Sequence, residues 1–170
     1  MYFRQFECRR VVFLMNVEFI NPFLVSLINV ISTMATMDLK PGKPQLKNHD
    51  LAKGDVSGLI GMVGPKTRGS LSITFEQTLI LEIMNKMLGE KYESINDEVT
   101  DLVGEITNMV TGGAKNLLSD KGYDFDMATP AVVSGKNHTI SHKARGKKIM
   151  MPFTHEHGNA YIEICFEDAQ

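Results

Sequence analysis

Asp101, Glu105, Asn108 and Gly112 follow one another at intervals of four, three and four residues. On a helix, at about 100° per residue, the four fall within roughly 60° of each other and form one stripe. Val99, Leu102, Val103, Ile106, Met109, Val110, Gly113 and Leu117 gather on the opposite side, so the spacing predicts a helix that buries them and turns the stripe to solvent. A carboxylate and a carboxamide one turn apart, with a glycine next along, make a shallow acidic ledge with no large side chain to obstruct an approaching surface. A polar outer face is most often only solvated surface, and Asp97 and Glu98 suit the positive end of a helix dipole, so spacing alone assigns no chemistry.

Other candidate constellations are weaker. His138 and His142 are four apart in a strand-like run, where four residues span roughly 13 Å, too far to share an ion. His155 and His157 alternate onto one side if extended, but a Gly-bounded loop is the simpler reading, and no metal site is expected. Lys143, Arg145, Lys147 and Lys148 crowd around Gly146 without interleaved aromatics, which suits a solvated hairpin turn rather than a nucleic-acid platform. Gly58, Gly61 and Gly64 lack dinucleotide-fingerprint spacing and read as sites of close backbone packing or a bulge. The eleven methionines read as adaptable packing.

The elements that must position the stripe follow from periodicity. Asn21 as N-cap and Pro22 at the first helical position predict a helix to Met37, carrying Phe23, Leu24, Leu27, Ile28, Ile31, Met34 and Ala35 at helical spacing. Asp55 to Val63 and Ser70 to Phe75, joined by a Gly- and Pro-containing link, predict a hairpin. A helix over 76–88, stopped by Gly89, precedes the long helix at 97–119. Strands are expected at 131–134, 138–142, 149–153 and 160–166. The segment GSLSITF at 69–75 echoes GNAYIEICF at 158–166, so two halves, each with a long helix and a strand pair, predict one mostly antiparallel sheet with long helices packed on it, an α+β fold.

A chain of 170 residues with 43% hydrophobic and 22% charged residues has globular composition, excluding disorder and disulfide-stapled miniproteins. A formal charge of −2 leaves no global basic field for nucleic acid or anionic lipid. Cys8 and Cys165 stand at opposite ends without ligand spacing and suggest reduced thiols in a cytoplasmic protein. No apolar stretch reaches the roughly 20 residues that cross a bilayer, and no membrane association is expected. Residues 1–14 read as a mis-assigned start or loosely attached tail, leaving 15–170 as a single domain.

Asp101-Leu-Val-Gly-Glu105-Ile-Thr-Asn108, followed about twenty residues later by Pro130, resembles the signature of the CheC/CheX/FliY family of chemotaxis phosphatases. The likeness extends through GEITNMVTGGAKNLL and the two-half layout, and the single motif copy is most like the CheX branch. In the first half Ser26-Leu-Ile-Asn29 stands where Glu105-Ile-Thr-Asn108 stands in the second, with Thr33 at the place of Gly112, so the glutamate is missing there. The resemblance implies hydrolysis of the aspartyl phosphate of a CheY-like receiver. Asn108 would orient the attacking water, Glu105 would dock to a receiver lysine, and Asp101 and Gly112 would lie in the partner surface. It also implies Mg²⁺ carried by the receiver rather than by this chain, which needs no cofactor of its own, and a homodimer. The competing reading is a non-catalytic receiver-binding adaptor, which would have no use for the carboxamide.

Overall fold

The computed structural model describes the backbone of residues 3–168 and the side chains of residues 17–168. Its elements run α1 (Phe3–Ala35), β1 (Lys40–Pro41), β2 (Gln45–Leu46), β3 (Val56–Val63), β4 (Thr67–Phe75), α2 (Gln77–Leu88), α3 (Asp97–Ser119), β5 (Asp126–Met127), β6 (Ala131–Ser134), β7 (Lys148–His155) and β8 (Gly158–Asp168). The expectation for residues 1–14 lies outside the described side chains, as does Cys8.

Eight antiparallel strands form one sheet in the order β1, β7, β8, β4, β3, β5, with β2 also on β7 and β6 also on β3. The two echoing segments meet at its centre as β4 and β8, with Phe75 opposite Ala160 and Gly69 opposite Phe166. On either side the layout repeats, each half giving a hairpin and each long helix being followed by two short strands. Those short strands are exchanged. β1 and β2, which follow α1, pair with the second half's β7, and β5 and β6, which follow α3, pair with the first half's β3. The expected α+β arrangement is therefore present, with the halves interlocked rather than adjacent.

Period-two alternation gives the sheet two unlike faces. Val56, Ile60, Leu71, Ile73, Phe75, Met151, Phe153, Ala160, Ile162 and Ile164 point to the helices and share one core with Phe23, Leu27, Ile31, Ile80, Val103, Ile106 and Val110. Ser57, Ser72, Thr74 and Glu163 point the other way, yet they too are buried, at 0–1% exposure. Two segments cover them, tied together by Ala52 N–H to the His138 carbonyl (3.0 Å) and Ile140 N–H to the Asp50 carbonyl (2.8 Å).

The first helix departs from expectation. Asn21 is no N-cap, because α1 runs through Pro22. Pro22 has no N–H for the Glu18 carbonyl four residues back, and Lys121 Nζ donates to that oxygen instead, at 3.1 Å. Packing supplies the reason for continuing the helix: the Phe19 ring lies 4.7 Å from that of Phe166 and 5.3 Å from that of Tyr123. The segment Val17–Ala35 is, against the sequence reading, long and apolar enough by composition to cross a membrane. Its Phe23, Leu27 and Ile31 are fully buried among the other core residues, so one side of this segment packs into the fold.

Smaller corrections have equally local causes. Residues 138–142 form no strand, only a bridge from Leu51 to Thr139. β4 begins at Thr67, with Gly64 N–H bonded to the Thr67 carbonyl at 2.9 Å to close the turn. β7 and β8 run longer than their apolar runs, since the tight turn at Glu156 and His157 lets the ladder continue to His155 opposite Gly158.

Candidate functional site

Helix α3 carries the stripe. The Asn96 side chain caps it by accepting from Val99 N–H at 3.0 Å, and Asp97 and Glu98 occupy its first turn. The Tyr92 hydroxyl donates to Glu98 Oε2 at 2.6 Å, and holding that proton against a carboxylate pushes the Tyr92 hydroxyl up to about 12. Asp101, Glu105 and Asn108 are exposed, and Gly112 is half-buried. The opposite face is less simple than the spacing predicts. Val99, Leu102, Val103, Ile106 and Val110 are buried as expected, but Met109 (45%) and Leu117 (40%) are exposed, and Thr107, Thr111, Ala114 and Leu118 are buried in their place. The buried arc is rotated toward the sheet because α3 packs on both β3 and α1, not on one flat surface. The two threonines satisfy their hydroxyls within the helix, Thr107 Oγ1 donating to the Val103 carbonyl and Thr111 Oγ1 to the Thr107 carbonyl, both at 2.7 Å.

Asp101, Glu105 and Asn108 line an open groove of about 780 Å³, together with Asp97, Thr100 and Gly104 from α3. Its other wall is Ala128, Thr129, Pro130, Val132 and Ser134, from the segment that includes β6. Pro130, the distant member of the sequence signature, thus faces Glu105 and Asn108 across one depression. The rest of that wall went unrecognised, since nothing in its residue types marks it; the exchange of β6 onto β3 puts it there. Where α3 and β6 draw together, a Cβ on Gly104 would come within 3.4 Å of Val132 Cγ2. Gly112 is the contrary case: a Cβ there would meet nothing within 4 Å. A glycine inside a helix costs roughly 0.5–1 kcal/mol relative to alanine, and at Gly112 no contact within the chain offsets that.

The first half does not reproduce the stripe. Ser26, aligned by sequence with Glu105, is 5% exposed and donates its hydroxyl to the Val110 carbonyl at 2.8 Å, inside the α1–α3 contact. The exposure pattern of α1 matches that of α3 one residue out of that register, so Val25 stands at the place of Glu105 and Ile28 at that of Asn108. The first half therefore carries neither an acid nor an amide there.

The histidines serve elsewhere. His138 Nε2 lies 2.7 Å from Ser57 Oγ and His142 Nδ1 2.6 Å from Ser70 Oγ, both on the covered face of the sheet. His155 and His157 stack at 5.4 Å between ring centroids. Among the described residues no group of three or more His, Cys, Asp or Glu could hold a metal ion. Cys165 is a buried free thiol, and burial pushes its pKa up. The basic segment at 143–148 is bound to its surroundings, Arg145 N–H donating to Glu167 Oε2 (2.6 Å) and Lys148 Nζ to Asp50 Oδ1 (2.6 Å).

The exposed acid and amide on α3 thus face a shallow groove rather than an enclosed cavity. The family model for chemotaxis phosphatase CheX matches residues 56–154, more than half of the chain. This chain belongs to the CheX family of chemotaxis phosphatases. A crystal structure of a CheC-like superfamily protein from Shewanella sp. PV-4 is similar at 80% identity and a TM-score of 0.85, covering 89% of this chain and 98% of that one. The CheY-P phosphatase CheX of Thermotoga maritima is 26% identical over 141 residues, 82% of this chain and 89% of that protein. CheX in the CheX–CheY–BeF₃–Mg²⁺ complex from Borrelia burgdorferi is similar at 28% identity and a TM-score of 0.74, covering 88% of this chain and 97% of that one.

Proposed function

We propose that this chain hydrolyses the aspartyl phosphate of a CheY-like receiver, docking it on the α3 stripe. The observation that carries the reading is the meeting of Glu105, Asn108 and Pro130 on one open groove. An acyl phosphate is already reactive, so a helper protein needs to supply positioning and electrostatic fit rather than a nucleophile. Asn108 enters the receiver site and its carboxamide accepts from the attacking water while donating to an oxygen nearby. Water oxygen bonds to phosphorus as the bond to the aspartate oxygen breaks, giving inorganic phosphate and a free carboxylate. Glu105, about one helical turn away, pairs with a receiver lysine and sets the docking register. Asp101 extends the contact, and the bare Gly112 lets the receiver approach the helix.

The divalent ion belongs to the partner: the Borrelia complex contains CheY and Mg²⁺ together, in keeping with a receiver that brings its own metal. The reading assigns residues 15–170 to one phosphatase domain, acting as a homodimer in the cytoplasm where receivers are phosphorylated. Mixing the protein with a CheY receiver phosphorylated by acetyl phosphate in the presence of Mg²⁺ tests the activity. Loss of phosphate faster than the receiver's own hydrolysis is the expected result. Tight binding with no acceleration would replace the enzyme by an adaptor.

A further inference from the structure

Helix α3 rests on β3 through Thr107, whose side chain lies directly against the bare backbone of Gly58. Gly58 is buried in the middle of β3, opposite Ile73 of β4 on one side and Val132 of β6 on the other. A Cβ there would coincide with Thr107 Oγ1 and lie 2.9 Å from Thr107 Cβ, closer than two carbons approach. Rotating Thr107 gives no relief, since its Cβ stays in place and its hydroxyl would forfeit the bond to the Val103 carbonyl. β3 cannot retreat either, being bonded to strands on both sides. Thr107 is the residue before Asn108, and Val132, paired with Gly58, is in the groove's opposite wall.

We infer that the Gly58–Thr107 contact sets the height of α3 over the sheet, and with it the distance of Asn108 from the Pro130 wall. Gly58 and Thr107 are thus positioning residues for the carboxamide, an inference that rests on the function proposed above. A methyl at position 58 lifts α3 by something on the order of 1 Å, and a displacement of that size can cost about a hundredfold in rate where a reacting geometry is held rigidly. Docking through exposed Glu105 and Asp101 is more forgiving, because a long side chain follows its partner.

The test compares Gly58→Ala, Gly58→Ala/Thr107→Gly and Asn108→Ala with the unaltered chain, glycine at 107 being the replacement that removes the Cβ as well as the hydroxyl and methyl. kcat is measured at saturating phosphorylated CheY, Kd with CheY loaded with beryllofluoride and Mg²⁺, and folding by circular dichroism. Gly58→Ala is expected to lower kcat about 10- to 100-fold with Kd changed less than about threefold, and the double variant to regain most of that rate. A folded Gly58→Ala protein with unaltered kcat overturns the inference, as does a folded double variant no faster than Asn108→Ala. If Gly58→Ala does not fold, the double variant decides alone: folded and within about tenfold of the original kcat, it supports the seat. A double variant that does not fold overturns it, because removing the clashing atoms should have restored the packing. Full activity in Asn108→Ala would defeat the functional reading itself, whatever Gly58 does.

Discussion

Glu105 and Glu163 are the same side chain in opposite circumstances. Glu105 stands exposed on α3, with no ion pair or side-chain hydrogen bond among the described residues. Glu163 is 1% exposed on the covered face of the sheet, where Lys47, itself buried, pairs with Oε1 and His142 Nε2 lies 3.5 Å from Oε2. Lys47 and His142 come from the two segments that cover this face, so Glu163 fastens them to β8. Among described residues Glu163 Oε2, His142 Nε2 and Ser72 Oγ, directly across the ladder from Glu163, are buried without a hydrogen-bond partner, so this cluster is only partly satisfied. A charge whose partner lies within the chain is spent on folding; one left free on a rigid helix is available to another molecule. The contrast predicts that the two glutamates fail differently when removed.

The largest effect is expected at the buried member. Glu163→Gln leaves the Lys47 ammonium unpaired in a dry site and should cost about 3–5 kcal/mol in urea unfolding, while the protein that remains folded keeps its kcat. Burial pushes the Glu163 carboxyl up, but His142 and Lys47 together outweigh it and hold the group below its ordinary 4.5. A carboxyl depressed in the folded state contributes stability above its unfolded pKa and loses it as pH falls through the folded one. The melting temperature should therefore drop as pH falls below about 5, and Glu163→Gln should flatten that part of the profile. An equally steep acid drop in the variant would remove Glu163 from the comparison.

Asn108→Ala should come next, lowering kcat about a hundredfold at saturating receiver with unchanged urea stability. Glu105→Ala should raise KM about tenfold and reduce its sensitivity to added salt, with kcat nearly held. If Glu105→Ala instead destabilised the fold as Glu163→Gln does, the division between a docking charge and a structural one would collapse. Asn29→Ala, on the exposed side of α1, should change turnover by less than about twofold, since the corresponding face of α1 carries Val25 and Ile28 rather than an acid and an amide.

What was legible in the sequence was local. The α3 stripe, its cap region and the hairpins come from spacings of a few residues, and a helix places residues three and four apart together whatever surrounds it. The family signature added Pro130, whose approach to α3 no spacing rule could supply. Everything that needed a distant partner was decided by the tertiary structure. α1 passes through Pro22 because Phe19 finds a cluster of rings and Lys121 supplies a donor to the carbonyl that proline leaves free. Met109 and Leu117 are exposed because the positions of α1 and β3, not the apolar spacing of α3, determine which of its residues are covered. Glu163 lies on the face of β8 turned away from the helices, and it is buried because two segments far away in the chain fold over it. Periodicity records which way a side chain points; only the folded chain determines what lies in that direction.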